Sequence, residues 1–99
     1  MTFTIVIPVF NGAQTVRKAI ASIKKQTYTD YTVIIINDGS TDDTLEVLRP
    51  LLSNGIELVN LQTNGGLTNA LRVGVRSAKS DWIARLDADD FWYPDHLKK

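Results

Sequence analysis

The chemistry available to this chain is concentrated in four short polar segments: Pro8-Val9-Phe10-Asn11, Asn37-Asp38-Gly39-Ser40, Asn64-Gly65-Gly66 and Asp87-Ala88-Asp89-Asp90. Three carboxylates packed into Asp87 to Asp90 repel one another unless they are solvated, hydrogen-bonded or neutralised by a cation. A divalent ion is the simplest neutraliser, and with no cysteine in the chain only oxygen ligands remain. Hard cations such as Mg2+ or Mn2+ suit that donor set. Mg2+ usually takes one or two carboxylates and fills its other positions with water and substrate phosphate. The acidic segment therefore suggests a diphosphate ligand. Each segment also has a structural reading: acidic turns solubilise or cap, Asp38-Gly39 is an ordinary turn, and Ser40 can cap a helix.

What ties these segments together is the pattern of elements before each of them. Phe3 to Phe10 is an almost unbroken apolar run rich in β-branched residues, as in a strand buried on both faces, with Pro8 near its end. Val16, Ala19, Ile20 and Ile23 then recur at helical spacing, with Asn11 a plausible N-cap. Tyr31 to Ile36 is a second strand. Ser40-Thr41-Asp42-Asp43 reads as a capping box for a helix through Leu45, Leu48 and Leu52, which Asn54-Gly55 stops. Ile56 to Leu61 is a third strand. Leu67, Leu71, Val75 and Ala78 form a third helical stripe, weakened by Gly74, and Trp82 to Leu86 is a fourth strand. Alternating strands and helices with short connections predict an α/β fold with a parallel sheet covered by helices on both faces. Ligands of such open sheets gather beyond the carboxyl ends of the strands, where all four polar segments fall.

Composition narrows the function classes. The 99 residues make one small domain with 43% hydrophobic residues. Eleven basic residues balance eleven acidic ones, so nothing points to a nucleic acid as partner. No apolar run approaches the length of a membrane span and no signal core follows Met1, which makes the cytoplasm the default expectation. Neither G-x-G-x-x-G after the first strand nor G-x-x-x-x-G-K-[ST] occurs, so dinucleotide and P-loop readings lose their support.

In this order and spacing the segments resemble the inverting family 2 glycosyltransferases of the GT-A fold, over nearly the whole chain. Ile5-Val6-Ile7-Pro8-Val9-Phe10-Asn11 is similar to that family's first strand and turn, where tyrosine is more usual than Phe10. Ile35 to Asp42 resembles its second motif, Asn64-Gly65-Gly66-Leu67 with Ala70 and Gly74 its third, and Arg85 to Asp90 its D-x-D signature. The resemblance implies an open, mainly parallel Rossmann-like sheet that binds a nucleoside-diphosphate sugar, UDP-sugars being favoured, with Mn2+ or Mg2+. It further implies that Pro8, Val9, Phe10 and Asn11 wall the base pocket and that Asp38, beside Gly39, accepts a hydrogen bond from the base. Asn64 and Arg72 would complete the nucleotide site, although asparagine is commoner in the family than Arg72. Asp87 and Ala88 would lie by the ribose and Asp89 would hold the metal, assisted by Asp87 and Asp90.

The family's reaction is attack of an acceptor hydroxyl on the anomeric carbon, and its general base lies beyond the D-x-D motif. Residues 1–99 are accordingly expected to form a single nucleotide-sugar-binding domain, part of a longer glycosyltransferase and inactive alone. The acceptor would be a saccharide or a lipid-linked sugar, the full-length protein would sit in the cytoplasm or at the inner face of the membrane, and uncovered apolar surface would favour self-association. His96 reads as solvated, Trp82 as core, and Trp92 and Tyr93 as residues that would flank a sugar. A Mg2+-dependent phosphatase or phosphotransferase with Asp87 as nucleophile fits less well, because that chemistry usually follows the first strand. An α/β signalling or interaction module would want its acidic pair where Phe10-Asn11 stands.

Overall fold

The computed structural model describes residues 3–26, 30–52, 55–80 and 82–86. Four strands form one parallel sheet: β1 (Phe3–Val9), β2 (Tyr31–Asp38), β3 (Ile56–Leu61) and β4 (Trp82–Arg85). Their spatial order is β3-β2-β1-β4. Three helices connect them in turn: α1 (Val16–Lys24), α2 (Thr44–Leu48) and α3 (Leu67–Ser77). The open α/β architecture expected from the alternating pattern is therefore present, and β1, from which the chain builds outward to both sides, lies where the strand order reverses.

The period of two along β1 divides the core. Ile5, Ile7 and Val9 face one way and pack with Val16, Ala19, Ile20 and Ile23 of α1, Val33 and Ile35 of β2, and Leu48 of α2. Val6, Ile34 and Ile36 face the other way, against Ala70 of α3. Both faces of the two central strands are covered, which is why their sequences read as continuous apolar runs. Pro8 is tolerated inside a central strand for a geometric reason. Leu86 N donates to Val6 O at 3.1 Å and, among the described residues, the pairing with β4 ends at Val6, so no described residue is left wanting a donor on the side to which residue 8 points.

Two helices depart from expectation. Pro50 lies in a 3-10 turn, Arg49–Leu51, so α2 is only five residues long and stops before Leu52. In α3 the buried residues are Ala70 and Gly74, with Leu71 and Val73 partly covered, while Leu67 and Val75 are both 51% exposed. The small residues set this rotation. A Cβ on Gly74 would overlap the side chain of Val6, so α3 lies closer to the sheet than a larger residue permits. Trp82, expected in the core, is 53% exposed: it sits on the outer strand β4 and meets Phe3 with ring centroids 6.5 Å apart. Among the described residues no helix is long and apolar enough to cross a membrane.

Candidate functional site

At the carboxyl edge of the sheet, on the α3 side, a cleft of about 240 Å³ is lined by Pro8, Val9, Phe10, Asp38, Asn64, Leu67 and Ala70. Its walls are apolar and its polar groups are few, the usual character of a small-molecule site. The end of β1 supplies one wall, the start of α3 the other, and the end of β2 places Asp38 between them.

Asp38 is 3% exposed, and a carboxylate so buried needs partners. Its Oδ1 accepts from Gly65 N at 3.0 Å, and its Oδ2 accepts from Gly66 N at 3.0 Å and Asn64 Nδ2 at 3.1 Å. Asn64 Nδ2 also donates to the Asp38 carbonyl at 3.1 Å. Gly66 is the N-cap of α3, so the carboxylate occupies the place where a helix N-terminus favours an anion. An ionised carboxylate offers about four acceptor sites. Three are taken by the protein, and the one left belongs to Oδ1. Gly39, with φ 70°, follows directly and lies against the backbone of Thr63 and Asn64.

A second set of bonds joins the β1–α1 loop to the β2–α2 loop. Asn11, at φ 53°, accepts at Oδ1 from Thr41 N (2.8 Å), Asp42 N (3.2 Å) and Thr41 Oγ1 (3.3 Å). Its own N–H donates to Ser40 Oγ at 3.0 Å, and that hydroxyl donates to Asn37 Oδ1 at 2.5 Å. Asn37 Nδ2 in turn donates to Asn60 Oδ1 at 2.9 Å, one register row shared by β2 and β3. Deeper in, Gly12 N donates to the fully buried Thr44 Oγ1 at 3.0 Å. Asn11 is thus no cap for α1, whose N-cap is Thr15, a residue that makes no side-chain capping bond. Ser40 does not cap α2 either. The N-cap is Asp43, with no side-chain capping bond, and Asp42 just before it holds the helix start: its Oδ1 accepts from Thr44 N at 2.9 Å and from the Thr44 hydroxyl, and its Oδ2 from Ala13 N at 3.3 Å.

The Thr44 hydroxyl above all, then the amides of Thr44 and Ala13, hold the Asp42 carboxyl below the ordinary aspartate range, with desolvation opposing them. A group depressed in the folded state stabilises fully above its unfolded pKa, about 4, and loses that contribution as pH falls through the lower folded value. Urea unfolding across the acid range should therefore show native chain and Asp42→Asn differing by a constant amount above about pH 5 and converging below about pH 4. A difference independent of pH would contradict this role for the charge.

Of the residues singled out in the sequence, Pro8, Val9, Phe10, Asp38 and Asn64 come together in the cleft, while Asn11 and Gly39 do not line it but directly follow Phe10 and Asp38, which do. Arg72 is exposed on α3 and is not among the lining residues. Leu67 and Ala70 stand in the third motif but carried no site role in the sequence, and Asn60 was not singled out at all. Leu67 had a usable signal, as the first residue after a Gly-Gly turn that opens a helix, whereas Asn60 gains its meaning only from lying opposite Asn37. Asp87, Ala88, Asp89 and Asp90, like Trp92, Tyr93 and His96, lie outside the described residues. Among the described residues no three His, Cys, Asp or Glu side chains converge to hold a metal.

Comparison with known proteins gives the same direction. The model of the family described as glycosyl transferase family 2 matches residues 4–99. The chain is 40% identical over 96 residues to a chondroitin synthase of Pasteurella multocida, covering 96% of this chain and 10% of the synthase. A crystal structure of S. aureus TarS 1-349 in complex with UDP-GlcNAc superposes with a TM-score of 0.91 at 25% identity, over 99% of this chain and 29% of that one. A mannosyltransferase from Pyrobaculum calidifontis in complex with GDP-Man and Mn2+ does so with a TM-score of 0.81 at 26% identity, over 91% of this chain and 28% of that one. The chain thus spans less than a third of the length of each of these relatives. By its sequence motifs, its strand order and the match of the family model, this chain belongs to glycosyl transferase family 2.

Proposed function

We propose that residues 1–99 form the nucleotide-binding part of a longer inverting glycosyltransferase that uses a nucleoside-diphosphate sugar and a divalent metal. The observation that carries this reading is Asp38: a buried carboxylate with one acceptor site left, in an apolar cleft at the carboxyl edge of a parallel sheet. A base entering between Phe10 and Leu67 must offer that oxygen an N–H. Uracil and guanine offer a ring N–H on their pairing edge, whereas cytosine and adenine offer only an exocyclic N–H there, beside a ring nitrogen that is an acceptor and would face the carboxylate unfavourably. The UDP-GlcNAc and GDP-Man of the two superposed enzymes are consistent with that requirement.

On this reading Pro8, Val9 and Phe10 contact the base, Asn11 and Gly39 shape the loops around it, and Asn64 holds Asp38. Arg72, on the exposed face of α3, is left for the diphosphate. The Leu86–Val6 bond delivers the chain to the same edge just before Asp87, which supports a ribose role for Asp87 and Ala88 and a metal role for Asp89 with Asp87 and Asp90. Oxygen donors of this kind suit Mn2+ or Mg2+. The metal, when bound, supplies Lewis-acid stabilisation to the departing diphosphate. In the reaction an acceptor hydroxyl forms the new bond to the anomeric carbon, the bond to the nucleoside diphosphate breaks, and the hydroxyl proton passes to a base elsewhere in the longer protein. The similarity to a chondroitin synthase favours a saccharide acceptor.

Calorimetric titration with UDP and with GDP, with and without Mn2+, tests the proposal. At least one should bind in a metal-dependent manner, CDP should bind more weakly, and Asp89→Ala should weaken the metal-dependent binding tenfold or more, about 1.4 kcal/mol. A folded chain that binds neither UDP nor GDP in Mn2+, or that binds CDP equally well, would show the reading to be wrong.

A further inference from the structure

We infer that Asn11 is a positioning residue of the nucleotide cleft: its side-chain oxygen clamps the Thr41–Asp42 backbone and so fixes how far Phe10 stands from Asp38. The inference rests on the nucleotide-binding reading above. Three observations carry it. Asn11 adopts a left-handed conformation (φ 53°), which asparagine tolerates better than most residues, and this turns the chain immediately after Phe10. Phe10 lines the cleft yet is 49% exposed, so its place is set mainly by its backbone. The oxygen of Asn11 takes three donors from residues 41 and 42, while its N–H reaches Asn37 through Ser40. Asp38 is thereby bracketed from both sides in sequence, by Asn37 before it and by Ser40, Thr41 and Asp42 after it.

No apolar packing substitutes for this clamp. Asn11, Thr41 and Asp42 are all exposed, and the nearby buried tie, Gly12 to Thr44, fixes the base of the loops rather than their rim. Losing the clamp should consequently disturb the ligand more than the fold. Glycine at position 11 keeps the left-handed conformation and removes the oxygen. Aspartate keeps an oxygen for the same donors, removes the Nδ2 donor and adds a negative charge, which salt screens at this exposed position.

The test compares native chain, Asn11→Gly and Asn11→Asp by titration with UDP in Mn2+, by thermal unfolding, and by amide exchange of Thr41 and Asp42 without nucleotide. Asn11→Gly should weaken UDP binding about tenfold, expose both amides to faster exchange, and lower Tm by only a few degrees. Asn11→Asp should stay within about threefold of native and keep both amides protected. Equal losses in the two variants that persist at high salt, where the added charge is screened, would mean that Nδ2 rather than the oxygen matters to the ligand, which overturns the inference. So would unchanged binding in Asn11→Gly, or a collapse of Tm with affinity per folded molecule unaltered. A native chain that protects the two amides yet binds no UDP marks failure of the nucleotide reading itself, and the inference falls with it.

Discussion

Asp38→Ala should lose detectable UDP binding and about 3 kcal/mol of stability together. The stability loss follows from the three bonds the carboxylate accepts, two of them from the Gly65 and Gly66 amides at the start of α3. Hydrogen bonds to an ionised group contribute about 1.5–3 kcal/mol each, and donors stranded by a truncation carry their own desolvation cost. Water reaches this edge of the sheet and will satisfy some of them, which keeps the total near the value of one or two bonds. Asp38→Asn should fall between, because its amide presents one acceptor where the loop needs two. Urea unfolding and calorimetry on the same samples separate the two effects. Unchanged stability with lost binding would mean that the carboxylate serves only the ligand and that the β3–α3 loop holds its own shape.

Gly39→Ala should be the most damaging single methyl group in the chain. Gly39 has φ 70°, and a Cβ there would stand 2.5 Å from the Thr63 carbonyl carbon and closer still to Asn64 N, both backbone atoms that cannot swing aside. Left-handed strain costs an L-residue about 1–2 kcal/mol, and displacing a backbone segment about 1–3 kcal/mol more. Gly55 supplies the control, since it too is left-handed (φ 85°) but a Cβ there meets nothing within 4 Å. Gly55→Ala should therefore cost only the strain, about 1 kcal/mol. The difference between the two variants in urea unfolding isolates the contact. Because the displaced atoms belong to Asn64, Gly39→Ala should also weaken UDP binding, and Gly55→Ala should not. Equal costs at the two positions would refute the steric argument.

How much of this was legible in the sequence depended on range. The strands were legible because β1 and β2 are buried on both faces and so read as Ile5-Val6-Ile7 and Val33 to Ile36 without interruption. Their polar ends were legible because a parallel sheet gathers them on one edge, and the cleft forms there from Pro8, Val9, Phe10, Asp38 and Asn64. What stayed hidden was the partner of each polar group. Local capping rules assign Asn11 to α1 and Ser40 to α2, but both side chains look sideways to a neighbouring loop about thirty residues away. Trp82 has core composition and an edge position, and only the strand order reveals the edge. The stripe of α3 was misjudged because apolar Leu67 and Val75 outweigh Ala70 and Gly74 on any hydrophobicity count. Close approach to Val6 selects the small residues instead.

The ties that build the cleft also share a length scale. Asp38 meets Asn64, Gly65 and Gly66 across 26 to 28 residues, and Asn11 and Gly12 meet Ser40, Asp42 and Thr44 across 29 to 32. Every one is a contact between one strand-helix unit and the next. The bond from Thr4 to Ser80, by contrast, spans 76 residues. Loop closure becomes entropically dearer with length, and contacts of short range are the ones that form early. On a ribosome, the surfaces that would grip a base can close once about the first seventy residues are free, before β4 is available to pair with β1. The acidic segment, which follows β4 in the sequence, would emerge only after that cleft has closed.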